Sequence, residues 1–152
     1  MGPETKLLDR PVNVEGWSPE NFAGDYRGEV TLAEAMAKSI NTIAVTLAEK
    51  VGRKKVVETA RRLGITSDLR PTPSLALGAG EVSLLELTAV YGSFANGGLG
   101  IWPYGIRSIS DGEGRILYER QGSGPGRVMK FDHAASMNEM LAGVVKRGTG
   151  RL

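Results

Sequence analysis

The stretch Ala37-Lys38-Ser39-Ile40-Asn41-Thr42 lies inside a longer run in which Leu32, Ala35, Met36, Ser39, Ile40, Ile43, Ala44 and Leu47 recur at helical spacing. Thr31 and Glu34 form a predicted capping box at its start, and Gly52 ends it. The spacing therefore predicts one helix with Ser39 on or beside its buried stripe. A serine in mid-helix is mildly unfavourable unless it bonds back to the preceding turn or has a function. Ser39 and Asn41, two residues apart, would supply a hydroxyl and an amide. Acyl transfer can use such a pair to pass protons and to hold a peptide carbonyl.

That pair cannot begin the chemistry by itself. No serine of the chain is followed three residues later by lysine; Ser136, for instance, precedes Met137, Asn138 and Glu139. No lysine therefore waits one helical turn from a candidate nucleophile. Lys146-Arg147-Gly148-Thr149-Gly150 holds the residue types of a Lys-Thr-Gly motif in the wrong order. Lys38 adjoins the Ser-x-Asn but would point about 100° from Ser39 on a helix, so it receives no catalytic role.

With 152 residues the chain fits one ordinary domain. Its 21 glycines and 7 prolines crowd into residues 1–28, 71–80, 96–105 and 111–126, which predicts helical pieces joined by substantial turns. A formal charge of +2 is too mild to imply a nucleic-acid partner, and the clusters Arg53-Lys54-Lys55 and Arg61-Arg62 have acids interspersed and no interleaved aromatics. The absence of cysteine excludes disulfides and thiolate metal sites, and the single histidine, His133, leaves nothing from which to build a His-cluster metal site. No cofactor or metal is expected. Gly122-Ser123-Gly124-Pro125-Gly126 lacks the Gly-Lys-Ser/Thr ending of a phosphate loop and is expected to be a plain loop. No segment approaches 18 consecutive apolar residues. Met1-Gly2-Pro3 and Gly150-Arg151-Leu152 are expected to be cut ends of something longer.

Residues 1–30 carry no regular period and are expected to form an irregular wrap held down by Trp17, Phe22 and Tyr26. Residues 31–99 predict a helical subdomain carrying the Ser-x-Asn. Its second helix covers 53–63 with Val56, Val57, Ala60 and Leu63 inward, and another starts from the Ser83/Glu86 capping box and stops at Asn96-Gly97-Gly98. Residues 100–121 predict a β-hairpin turning at Asp111-Gly112-Glu113-Gly114. Residues 122–152 predict a loop and a helix capped by Asp132, with Gly148 closing it. The fold class expected is a predominantly α-helical fragment with one small hairpin.

The order of these motifs resembles a known family, the transpeptidase domain of class A, bifunctional penicillin-binding proteins. The resemblance rests on Trp17-Ser18-Pro19-Glu20-Asn21, Tyr26-x-Gly28, Val30-Thr31-Leu32, Ser39-Ile40-Asn41 and Leu63-Gly64-Ile65. It continues through Pro73-Ser74-Leu75-Ala76-Leu77-Gly78, Glu81-Val82, Phe94-Ala95-Asn96-Gly97-Gly98 and Gly148-Thr149-Gly150, and so covers nearly the whole chain. Ala79-Gly80 departs from it, since the family more often carries a small polar residue there.

The resemblance implies an internal piece of an α/β transpeptidase fold, lying between the Ser-x-x-Lys and Lys-Thr-Gly motifs. The parent would be a serine D-Ala-D-Ala transpeptidase that cross-links peptidoglycan stem peptides, binds beta-lactams and carries a glycosyltransferase domain. It would be anchored in the bacterial inner or plasma membrane, with this domain on the periplasmic or extracytoplasmic side. By the same resemblance Ser39 would relay protons between the lysine of the first motif and the leaving amine. Asn41 would bond that lysine and the substrate's amide carbonyl. The fragment alone is expected to be inactive, and to self-associate through faces that the missing sheet would cover. A noncatalytic structural or interaction module, or a D,D-carboxypeptidase or beta-lactamase-like serine hydrolase, stands as the alternative.

Overall fold

The computed structural model describes every residue except Ala23, Ser123 and Leu152, so the looping expected at Ser123 and the cut end expected at Leu152 lie outside the described residues. Around Ser39 the single expected helix is two. Helix α1 (Leu32–Ala37) begins at Thr31, whose hydroxyl accepts the Glu34 amide at 3.1 Å. It ends after six residues, because Ser39 takes a left-handed backbone with φ 55°. The Ile40 amide donates to the Ala35 carbonyl at 3.0 Å and the Ser39 amide to that of Met36 at 3.1 Å. These are the two bonds of a Schellman turn, and Ala35 and Ile40 share a buried cluster, the apolar contact that commonly accompanies it. Helix α2 (Asn41–Val51) starts at once. The apolar spacing runs across the break unbroken, and a left-handed residue other than glycine leaves no mark in composition.

The N-terminal region is more regular than expected. Strands β1 (Lys6–Asp9) and β2 (Gly28–Thr31) pair antiparallel, with Leu7 opposite Val30 and Asp9 opposite Gly28. Of the expected aromatic anchors of the intervening wrap, Trp17 is half-buried, but Phe22 is fully exposed and Tyr26 is 42% exposed. Buried polar bonding to Asp9 holds the rest of the wrap.

Gly52 (φ 96°) joins α2 to α3 (Arg53–Arg62), and Arg53 pins the corner by pairing with Glu49 at 2.6 Å and Glu15 at 2.7 Å. None of α3's own residues is fully buried, so Val56, Val57 and Ala60 point inward only in part. Leu63 and Ile65, just past its end, instead join Val90, Phe94 and Val128 in the larger core cluster. A 3-10 helix (Pro73–Leu77) follows, then α4 (Leu84–Ala95), whose Ser83/Glu86 capping box is fully formed.

Strands β3 (Ser108–Ser110) and β4 (Ile116–Glu119) make the expected hairpin, its turn closed by Asp111 accepting the Glu113 and Arg115 amides. Helix α5 (Phe131–Arg147) begins one residue ahead of Asp132, with Lys130 at the cap position and no side-chain cap bond. Asp132 lies in the first turn, where its charge suits the helix end. The result is a largely helical fold with two small antiparallel strand pairs. Among the described residues, no helix is long and apolar enough to cross a membrane.

Candidate active site

Breaking the helix at Ser39 changes what the Ser-x-Asn can do. On a continuous helix Ser39 would lie at or beside the buried stripe; in the left-handed turn it is exposed, and Asn41 becomes the first residue of α2. Both residues line two adjoining cavities. One, of about 460 Å³, is apolar and walled by Leu32, Met36, Ala44, Leu77 and Met140. The other, of about 380 Å³, is bordered by Asn21, Asp25, Arg27, Lys38 and Thr149.

The stripe read from the sequence is therefore the wall of the apolar groove. Leu32, Ala35, Met36, Ile40, Ile43, Ala44 and Leu47 border it together with residues of the 3-10 helix and α5, while Thr42 and Val45, off the stripe, are fully buried. Part of the stripe does both, since Ala35, Ile40 and Ile43 are buried and also face the groove.

Asn41 is held from outside its own helix. Its Nδ2 donates to the Glu20 carbonyl at 2.8 Å. That bond takes one amide hydrogen and fixes which end of the amide is which, leaving Oδ1 as an acceptor and one hydrogen as a donor. The Glu20 carbonyl is presented by a segment tied down through Asn21, whose Nδ2 donates to both carboxylate oxygens of Asp9 at 3.0 and 3.1 Å and to the Asp25 carbonyl at 3.0 Å. Asn21 Oδ1 in turn accepts the Thr42 amide at 3.3 Å. Ile40 offers α2 no side-chain cap, so Asn21 serves as that cap from a distant segment.

Asp9 lies at the centre of this network and is 2% exposed. Besides Asn21 it accepts the Thr42 hydroxyl and, at 2.9 Å, the Arg27 amide. Burial pushes its pKa up, but the bonds from Thr42, Arg27 and Asn21, with attraction from the Arg27 charge, outweigh that and hold the carboxyl below its ordinary value. Neither Asp9 nor Thr42 was singled out from sequence. An acid directly after the apolar pair Leu7-Leu8 is the one local signal, and a weak one.

The other side of the Ser39 turn is clamped by the end of α5. The Thr149 amide donates to the Ala37 carbonyl at 3.0 Å, and Lys38 Nζ donates to the Arg147 carbonyl at 3.3 Å. Lys38 thus serves the clamp, and the helical angle that set it apart from Ser39 no longer applies. His133 is exposed at the start of α5 and lines neither cavity. Among the described residues, no three histidine, cysteine, aspartate or glutamate side chains are placed to hold a metal ion.

Comparison with known proteins agrees with this architecture. The family model for the penicillin binding protein transpeptidase domain matches residues 3–152. Penicillin-binding protein 1A of Aquifex aeolicus is 40% identical over 141 residues, covering 93% of this chain and 19% of that protein. The chain therefore spans about a fifth of the length of this curated relative. The crystal structure of penicillin-binding protein 1A from Haemophilus influenzae superposes with a TM-score of 0.87 at 23% identity, covering 98% of this chain and 28% of that one. Penicillin-binding protein A from M. tuberculosis, solved as an imipenem acyl-enzyme complex, gives 0.85 at 23% identity, covering 96% and 39%. The two structures share the fold, and the family match extends over nearly every residue: this chain belongs to the penicillin-binding protein transpeptidase domain family, related to the 1A and 1B proteins of class A.

Proposed function

We propose that this chain forms the Ser-x-Asn portion of a serine D,D-transpeptidase whose nucleophile and Lys-Thr-Gly strand are supplied by neighbouring segments of a longer protein. The observation that carries the reading is the left-handed turn at Ser39. It brings a hydroxyl to the surface beside an amide already oriented by the Glu20 carbonyl, both at the mouth of an apolar groove.

In the complete site a serine hydroxyl would attack the carbonyl of the penultimate D-alanine of a stem peptide. The C–N bond breaks, D-alanine leaves with a proton, and an amine of a neighbouring strand displaces the serine. Ser39 would hand the proton from the first motif's lysine to the leaving nitrogen. Asn41 Oδ1 would accept from that lysine, and its free amide hydrogen would hold the substrate's amide carbonyl. The groove would receive the segment carrying Ser-x-x-Lys, because the serine and lysine must come within about 3.2 Å of these groups. A beta-lactam would acylate the same serine, as the imipenem complex of the M. tuberculosis relative suggests by analogy. The parent would be membrane-anchored with this domain on the extracytoplasmic side, and would carry a glycosyltransferase domain.

Fluorescent penicillin separates the readings. The expected result is covalent labelling of a protein extended through both missing motifs and none of residues 1–152 alone. Labelling of the isolated chain would overturn the division of the site, and failure to label a folded extended protein would favour a noncatalytic relative.

A further inference from the structure

Asp9 lies on β1, 32 positions before Asn41 in sequence, yet the residues that flank Asn41 and its carbonyl partner, Thr42 and Asn21, both donate to its carboxylate. Thr42, the residue after Asn41, donates its hydroxyl to Asp9 and its amide to Asn21. Asn21, the residue after Glu20, donates to both Asp9 oxygens and so fixes the carbonyl that grips the Asn41 amide. The Arg27 amide closes the ring from the far side of the loop. Among the described residues no salt bridge reaches Asp9, so hydrogen bonds, with a lesser attraction from the Arg27 charge, keep it charged while buried. A carboxylate has four acceptor positions, and four hydrogen bonds reach them from three residues, Asn21, Arg27 and Thr42. No neutral side chain of that size accepts on both ends.

We propose that Asp9 is a positioning residue for Asn41. It sets the roll of the Asn41 amide through Asn21 and Thr42, so that Oδ1 and the free amide hydrogen face the cleft. This rests on reading Asn41 as an active-site amide. It adds to that reading a residue with no place in the catalytic motifs, acting at one remove from the reacting atoms. In Asp9→Asn one end of the side chain becomes a donor and faces a donor in the network, so the ring cannot close as it stands.

The test is a double-mutant cycle on the rate of acylation by fluorescent penicillin, in the extended protein that carries Ser-x-x-Lys and Lys-Thr-Gly. Asp9→Asn is expected to slow acylation about tenfold, a coupling typical of neighbours in one hydrogen-bonded network. Added to Asn41→Ala, it is expected to slow acylation no further, because the group it positions is gone. A merely structural Asp9 would slow both backgrounds by the same factor, and that result, or a wild-type rate for Asp9→Asn, overturns the proposal. If Asp9→Asn does not fold, Thr42→Val and Thr42→Ser in the same cycle decide it: loss of the hydroxyl should slow only proteins with Asn41 intact, and serine should restore the rate. A wild-type rate for Asn41→Ala alone sinks the active-site reading itself, and with it the role of Asp9. A multiplying cycle sinks only the latter.

Discussion

Ser39 is a serine held where glycine would be more comfortable. Its φ of 55° falls in the left-handed region, which costs an L-residue about 1 kcal/mol or more. The Schellman bonds, the Ala35 to Ile40 contact and the clamp from Thr149 keep it there. Stability and function should therefore separate at this position. Ser39→Gly is expected to raise the thermal midpoint of the chain by about 2–4 °C, the shift that roughly 1 kcal/mol produces at this size. Ser39→Ala retains the strain and should give no such gain. In the extended protein both variants should lose most acylation by penicillin, because each removes the hydroxyl. A Ser39→Gly chain that melts no higher than Ser39→Ala would show the turn to be unstrained.

At the scale of elements, two contacts outside the helices fix where the helices go. Glu86 in the first turn of α4 accepts the Thr66 and Ser67 amides at 2.6 and 2.9 Å, both of their hydroxyls, and the Ser83 amide and hydroxyl. It thus latches the segment after α3 to the start of α4. Bonds from Ser67, then Thr66 and Ser83, hold its carboxyl well below the ordinary 4.5. A depressed carboxylate pKa means that the folded state binds fewer protons. The latch is therefore fully effective above about pH 4.5 and is lost as pH falls toward the folded value. Glu86→Gln should melt lower than wild type at neutral pH, with the gap narrowing as the melts are repeated below pH 4.5; a constant gap would count against the latch. The second contact is Gly148, where a β-carbon would collide with the Ala37 and Val144 carbonyl oxygens. Gly148→Ala should force α5 away from the Ser39 turn and destabilise the chain by about 1–3 kcal/mol, as overpacking does, read as a lower denaturant midpoint. Elements of this kind were legible where local chemistry decides them: the Ser83/Glu86 box, the Asp111 turn and the Gly52 and Gly148 helix ends all follow from residue type. The break at Ser39 was not legible, because it depends on a tertiary clamp from residues 147–149 and leaves the apolar spacing intact. The pairing of β1 with β2 was hidden for a similar reason. Four-residue strands separated by 18 residues of loop carry little alternation, and their register is set by contacts distant in sequence.

The whole molecule leaves part of its apolar surface open, and one such part is the groove beside Ser39. Two buried clusters, one around Val90 and Phe94 and one around Val30 and Ile43, hold the elements together, while the stripe of α1 and α2 opens on the groove. A sequence pattern reports which residues are kept from water but not by what. The same periodicity serves a core and a groove wall equally well, so the position of Ser39 and Asn41 at a groove mouth could not be read from it. If the groove receives the segment carrying the nucleophile, filling it should be harmless to this chain and harmful to the complete site. Ala44 is half-buried on the groove wall, so Ala44→Phe directs a ring into open space. Residues 1–152 bearing that change should keep a thermal midpoint within a few degrees of wild type, since no native contact is lost. The extended protein bearing it should lose penicillin labelling, because the ring occupies volume that the nucleophile's segment needs. Equal labelling of wild type and Ala44→Phe would mean that the nucleophile approaches Ser39 and Asn41 from the other cavity, the polar one beside Asp25, Arg27 and Thr149.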